Sequence, residues 1–132
     1  MTASPFEVRV YYEDTDLAGV VYHANHLKYM ERARTEALRS VGVDQGVLKA
    51  ETGIVFLVTR VAIHYLRPAF FDDLLAVDTA VTRLGSASLT LGQSIRRGVE
   101  AVATAEVRVA IVGSDGRAAR APGRLREALS RL

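Results

Sequence analysis

Residues 12 to 31 read Tyr12-Glu13-Asp14-Thr15-Asp16-Leu17-Ala18-Gly19-Val20-Val21-Tyr22-His23-Ala24-Asn25-His26-Leu27-Lys28-Tyr29-Met30-Glu31. This stretch crowds three carboxylates (Glu13, Asp14, Asp16), a glycine and two histidines ahead of an amphipathic helix. Acids and imidazoles are costly to hold close together unless a turn, a metal or a reaction needs them there. Upstream, Phe6, Val8, Val10 and Tyr12 alternate with Glu7, Arg9, Tyr11 and Glu13, the two-residue period of a half-buried strand. Asp14 to Gly19 carries turn chemistry. Downstream, Leu27, Met30, Ala33, Arg34, Ala37, Leu38 and Val41 share one stripe, which predicts a helix from about Asn25 to Val41. Gly42 is placed to end it at the C′ position. At about 1.5 Å per residue that helix would run for roughly 26 Å.

Beyond a connecting region containing Gly46 and Gly53, the period changes. Ile54 to Leu66 is rich in Val, Ile, Phe and Tyr and is closed by Pro68. Leu74 to Leu84 is a second β-branched run, ended by Gly85-Ser86. Leu89, Leu91, Gln93 and Ile95 alternate with polar neighbours, and after a tight turn at Gly98 the alternation resumes from Val99 to Val112. The order is one strand, one long helix and four strands joined largely by hairpins. A lone helix cannot bury its own stripe, whereas a five-stranded antiparallel sheet curling around it can. The class is α+β. The chain has no βαβ alternation and no glycine-rich phosphate loop, which argues against a nucleotide-binding α/β fold.

At 132 residues the chain reads as a single domain, 1–132, with ordinary globular composition, 49% apolar and 24% charged. No apolar run approaches the roughly 20 residues that span a bilayer. The start, Met1-Thr2-Ala3-Ser4-Pro5, lacks the pattern of a secretory signal, so a cytoplasmic placement is expected. Without cysteine there is neither a thiolate nucleophile nor a cysteine metal site. The net charge of +2 is unevenly placed: residues 117–132 carry +4, leaving −2 on the rest. Such a tail can meet phosphates or acidic headgroups, which leaves a peripheral envelope or membrane-surface association open. No aromatic-interleaved basic patch accompanies it, so no nucleic-acid partner is expected. The alternative is a short solvated helix docked through Leu125, Leu129 and Leu132.

The element order resembles the hotdog fold. Residues 12 to 36, with their D-x-D-x-x-G turn leading into an amphipathic helix, are similar to the signature of the 4-hydroxybenzoyl-CoA thioesterase family. Within that family they look most like the bacterial branch associated with the Tol–Pal envelope system. The resemblance implies an acyl-CoA thioester hydrolase with no cofactor and no metal. It also implies assembly as a homodimer or homotetramer, with sites at subunit interfaces. It makes Asp16 the catalytic carboxylate, places His23 at the polar position opening the long helix, and puts Tyr12 along the site at the end of the first strand. Leu17-Ala18 departs from the smaller residues that relatives often carry there, and bears on pocket shape.

Thioester hydrolysis needs a nucleophile or base and a receiver for the oxyanion. Asp16 could attack the carbonyl or activate water; it could also be only a turn-capping Asp. Backbone N–H groups near His23 and Ala24 are the expected oxyanion donors, since a helix beginning there aims them outward. Asn25 is a good N-cap, with substrate contact as the other reading. His26, on the first helical turn, is expected to be solvated or at an interface. Glu31 interrupts the apolar stripe, either paired with Arg34 or as an accessory carboxylate. CoA phosphates call for basic residues, and Arg83 with Gly85, Ser86 and Ser88 is the candidate site. A set of Asp14, Asp16, His23 and His26 holding a metal is the competing hydrolase reading.

Overall fold

The computed structural model describes residues 4–132, so Met1 to Ala3, part of the basis for the missing-signal expectation, lie outside the described residues. Strands β1 (Phe6–Arg9), β2 (Val55–Tyr65), β3 (Leu74–Leu84), β4 (Ser88–Arg97) and β5 (Glu100–Val112) form one antiparallel sheet. Their order is β1-β3-β4-β5-β2, which leaves β1 and β2 at the edges. Helix α1 (Asn25–Ser40) lies on the inner face, α2 (Gln45–Thr52) follows it, and α3 (Gly123–Ser130) closes the chain. The strand-helix-four-strand order and the α+β class expected from the sequence are therefore present.

Alternation decides what each face carries. Leu89, Leu91, Gln93 and Ile95 of β4 and Ala103, Ala105, Val107, Val109 and Ile111 of β5 are buried on the inner face. Met30, Ala33, Ala37 and Leu38 of α1 meet that face, and the helix rests chiefly on β1, β3 and β4. The inner side of β2 is left much less covered: Val58, Val61 and Tyr65 are exposed.

One polar residue crosses this core. Gln93 donates from Nε2 to the Met30 carbonyl and to Thr79 Oγ1, both at 2.9 Å, and its Oε1 accepts from Arg34 at 2.9 Å. Arg34 therefore bonds Gln93, and no ion pair with Glu31 forms within 4.0 Å among the described residues, contrary to the pairing expected from helical spacing. Glu31 is exposed and accepts from Thr35 Oγ1 at 2.9 Å. Replacing Gln93 by Leu strands the Met30 carbonyl and the half-buried Arg34 guanidinium. It is expected to cost about 2 kcal/mol, read as a lower urea midpoint with unchanged m value.

Three local differences from the sequence reading have physical causes. The first strand stops at Arg9 rather than running to Tyr12, because Asp14 Oδ2 accepts the Tyr11 amide at 2.8 Å while the Asp14 amide donates to the Tyr11 carbonyl at 3.0 Å. That closes a 3-10 turn, Tyr12–Asp14, and leaves Tyr12 83% exposed. The connecting region holds a helix, α2, capped by Asp44 accepting the Val47 amide and ended by Gly53 at φ 75°. Helix α1 is rotated at its start, so that His26 and Tyr29 are buried while Leu27 is exposed. Gly42 does end α1, at φ 86°, with the Val43 amide donating back to Leu38.

The basic tail is docked, as expected, through Leu125, Leu129 and Leu132. Arg126 donates to the Gly85 carbonyl at 2.9 Å and Arg131 to the Val41 carbonyl at 3.0 Å, so two of its charges serve the fold. Among the described residues no helix is long and apolar enough to cross a membrane.

Candidate active site

Asp16 opens a tight hairpin. Its amide donates to the Val20 carbonyl and its carbonyl accepts from Gly19, both at 2.9 Å, and Thr15 bridges Val21. The return requires φ +80° at position 19, which glycine adopts without strain. Asp16 Oδ1 accepts the Ala18 amide at 2.9 Å. The turn role and the chemical role are thus compatible: one carboxylate oxygen braces the turn, and among the described residues Oδ2 accepts nothing. Leu17 and Ala18 occupy the exposed tip.

The hairpin is stitched to the segment between β2 and β3. Val20 bridges Phe70, and the Val21 amide donates to the Ala69 carbonyl at 2.8 Å. That segment is braced in turn by Arg97, which donates to Asp73 Oδ2 at 2.7 Å and to the Pro68 carbonyl at 3.1 Å. Hydrogen bonding to Asp73 raises the Arg97 pKa further, so its charge is permanent.

The start of α1 is built around the Asp14 carbonyl. It accepts the Tyr22 amide and Asn25 Nδ2, each at 2.9 Å. Asn25 is therefore the first helical residue, tying the helix to the acidic turn; Ala24 occupies the cap position, with no side-chain cap. Among the described residues the His23 and Ala24 amides donate to no protein acceptor, so the helix opens with free N–H groups. Among the described residues the buried Tyr29 hydroxyl has no hydrogen-bond partner, and burial, with the Asp14 carboxylate beside it, pushes its pKa well up.

The His23 carbonyl accepts from Tyr65 Oη at 2.9 Å, and His26 Nδ1 lies 3.1 Å from it. His26 is only 4% exposed, which overturns the solvated alternative of the solvated-or-interface position expected for it. Burial pushes its pKa below the ordinary value. Its ring packs edge-on to Tyr65 at 5.0 Å, and His23 tilts against Tyr22 at 4.5 Å.

These elements line an open cleft of about 350 Å³, with Asp16, His23, His26, Tyr65 and Arg67 among its walls and Asp16 exposed at its surface. Of the residues singled out in the sequence, it brings together Asp16, His23 and His26. Tyr12, Ala24, Asn25 and Glu31 are not part of its lining, Ala24 adjoining it through the peptide bond to His23. Arg83, Gly85, Ser86 and Ser88 do come together, with Thr90 and Arg108, around a second cavity of about 480 Å³. It lies at the other end of the sheet: Tyr65 pairs with Ala103, whereas Ser88 pairs with Ala110. Seven residues of strand at about 3.3 Å each put the two levels roughly 23 Å apart within one chain.

Residues 10–129 match the family model described as the thioesterase-like superfamily. The chain belongs to that superfamily. It is 46% identical over 107 residues to the acyl-CoA thioesterase YbgC of Haemophilus influenzae, covering 81% of this chain and 79% of that one. It is 47% identical over 88 residues to the acyl-CoA thioester hydrolase YbgC of Escherichia coli O6:H1, covering 67% of this chain and 65% of that one. The crystal structure of a probable thioesterase from Bartonella henselae superposes with a TM-score of 0.87 at 36% identity, over 92% of this chain and 100% of that one. These likenesses bear out the resemblance drawn from residues 12 to 36, and the fold is the hotdog fold.

In this thioesterase-like chain Tyr65 is a lining residue to which the sequence reading gives no site role, and His26 enters that reading only through the competing metal set. Tyr65 ends an alternating run just ahead of Pro68, and an aromatic there reads equally well as core. Among the described residues no three potential metal-ligating side chains cluster, so Asp14, Asp16, His23 and His26 do not form a ligand set. Asp14 is committed instead to the Tyr11 amide.

Proposed function

We propose that this chain hydrolyses acyl-CoA thioesters to the free acid and CoA in the Asp16 cavity. The reading is carried by one observation: an unengaged carboxylate oxygen of Asp16 shares a cavity with His23, where α1 opens with unbonded amides. Asp16 either attacks the carbonyl carbon, expelling CoA thiolate and leaving a mixed anhydride that water cleaves, or takes a proton from water as that water attacks, the tetrahedral adduct then expelling CoA thiolate, which takes up the proton. In both routes the carbonyl oxygen becomes an oxyanion, which the His23 and Ala24 amides receive at the positive end of the helix dipole. The relatives named acyl-CoA thioesterases support the substrate class. Free-thiol release by the purified chain across a panel of short, aromatic and long acyl-CoA thioesters tests it. Binding of acyl-CoA with no thiol released from any of them would instead indicate an acyl-binding or scaffold protein.

The Arg83 cavity suits the CoA phosphates, with two guanidinium groups beside serine and threonine hydroxyls. It stands at the wrong end of its own chain. The free edge of β2 offers a remedy: antiparallel pairing of two β2 edges turns the second chain end for end and brings its Arg83 cavity to the Asp16 end of the first. A homodimer with two shared sites is the proposed assembly. Replacing Arg83 and Arg108 together by Gln is expected to raise KM for acyl-CoA about tenfold. The corresponding acyl-pantetheine thioester, which lacks the nucleotide, should show unchanged KM in the same steady-state assay.

A further inference from the structure

We propose that Tyr65 and His26 are positioning residues whose two donors clamp the His23 carbonyl and so fix the peptide that presents the Ala24 amide. The proposal rests on the thioesterase reading above and deepens it. Two donors reach this carbonyl from different elements, the Tyr65 hydroxyl from the end of β2 at 2.9 Å and His26 Nδ1 from the first turn of α1 at 3.1 Å. A carbonyl oxygen has two lone pairs, and both are used. The peptide unit is planar and trans, so holding the His23 C=O also holds the Ala24 N–H, which points the opposite way. That N–H has no protein acceptor among the described residues.

The proton inventory agrees with this arrangement. A carbonyl accepts only, so the facing Nδ1 must carry hydrogen. Burial keeps His26 in its neutral form, which then has one such tautomer, leaving Nε2 unprotonated. Burial likewise raises the Tyr65 pKa, which keeps its hydroxyl a donor. The fold does not need the Tyr65 bond. Tyr65 is 45% exposed at the end of an edge strand, and water could satisfy its hydroxyl at little cost. A bond dispensable for stability, made to the peptide that opens the helix, points to geometry rather than to packing.

Tyr65→Phe should therefore lower kcat about five- to tenfold, with KM within about twofold and the thermal midpoint unchanged. His26→Leu should lower kcat at least as far, and His26→Asn, whose Nδ2 can donate where Nδ1 does, should recover most of that loss. Wild-type kcat in Tyr65→Phe, or a change confined to KM, would overturn the clamp; should the His26 variants fail to fold, Tyr65→Phe alone decides. Asp16→Asn separates the two claims. If it is inactive while Tyr65→Phe is normal, only the clamp falls; if it turns over normally, the thioesterase reading at this cavity falls, whatever Tyr65→Phe does.

Discussion

Asp16→Asn should lower kcat for thiol release by about a hundred- to ten-thousand-fold while leaving the fold intact. The substitution keeps the atom that serves the turn: an amide oxygen can accept the Ala18 N–H as Oδ1 does now. What disappears is the negative charge of the carboxylate, which either route to hydrolysis requires. Equal circular dichroism and thermal midpoints in the two proteins would confirm that the hairpin survives. Removal of the whole side chain is a poorer test, because Asp16→Ala also takes away the bond that braces the turn. An Asn variant that releases thiol at the parental rate would show that chemistry, if present, uses another group.

Val61→Lys should convert the proposed dimer to monomer and reduce kcat/KM for acyl-CoA by about a hundredfold. Strand β2 is 11 residues long, lies at the sheet edge and exposes Leu57, Val58, Val61 and Tyr65. A long apolar edge with unpaired N–H and C=O groups is an open invitation to a second strand. Val61 sits near the strand centre, so in a two-fold pairing two lysines would face each other across the axis, next to the existing Arg60. The kinetic loss follows from separation of the two cavities, since several charge-assisted hydrogen bonds to CoA phosphates would no longer act on the same substrate molecule. Sedimentation velocity and steady-state kinetics on one preparation check both parts. A monomer with full activity would place nucleotide recognition within a single chain and remove the shared site.

The sequence made some of this legible and hid the rest for identifiable reasons. Period-two alternation located β4 and β5 within a few residues, because each has one wet face and one dry face, while β2 and β3 were located as β-branched runs. The end of α1 was readable from Gly42 and its start only to within one residue, since Asn25 is the first helical residue and not the cap, and its rotation was not readable. His26 is a polar residue buried by a carbonyl partner, and Leu27 an apolar one left outside, so hydropathy alone pointed the wrong way at that turn. Tyr12 continued the alternation of β1, but Asp14 folds back onto the Tyr11 amide, a local competition that residue types do not reveal. Helix α2 carried a readable cap in Asp44 and a stop in Gly53, masked by an interior glycine at position 46. At the site, Asp16 and His23 were visible because one short motif, residues 12 to 31, carries both. Tyr65 was not, because its contact with the His23 carbonyl spans 42 residues.

The most direct measurement is a crystal structure of the chain with a non-hydrolysable thioether analogue of acyl-CoA that keeps the carbonyl. Its carbonyl carbon should lie within about 3.5 Å of an Asp16 oxygen or of a water bound to it. Its carbonyl oxygen should stand about 3 Å from the His23 or Ala24 amide, with the nucleotide against Arg83 and Arg108 of the second chain. A carbonyl seated anywhere else, with Asp16 facing bulk water, would contradict the assignment.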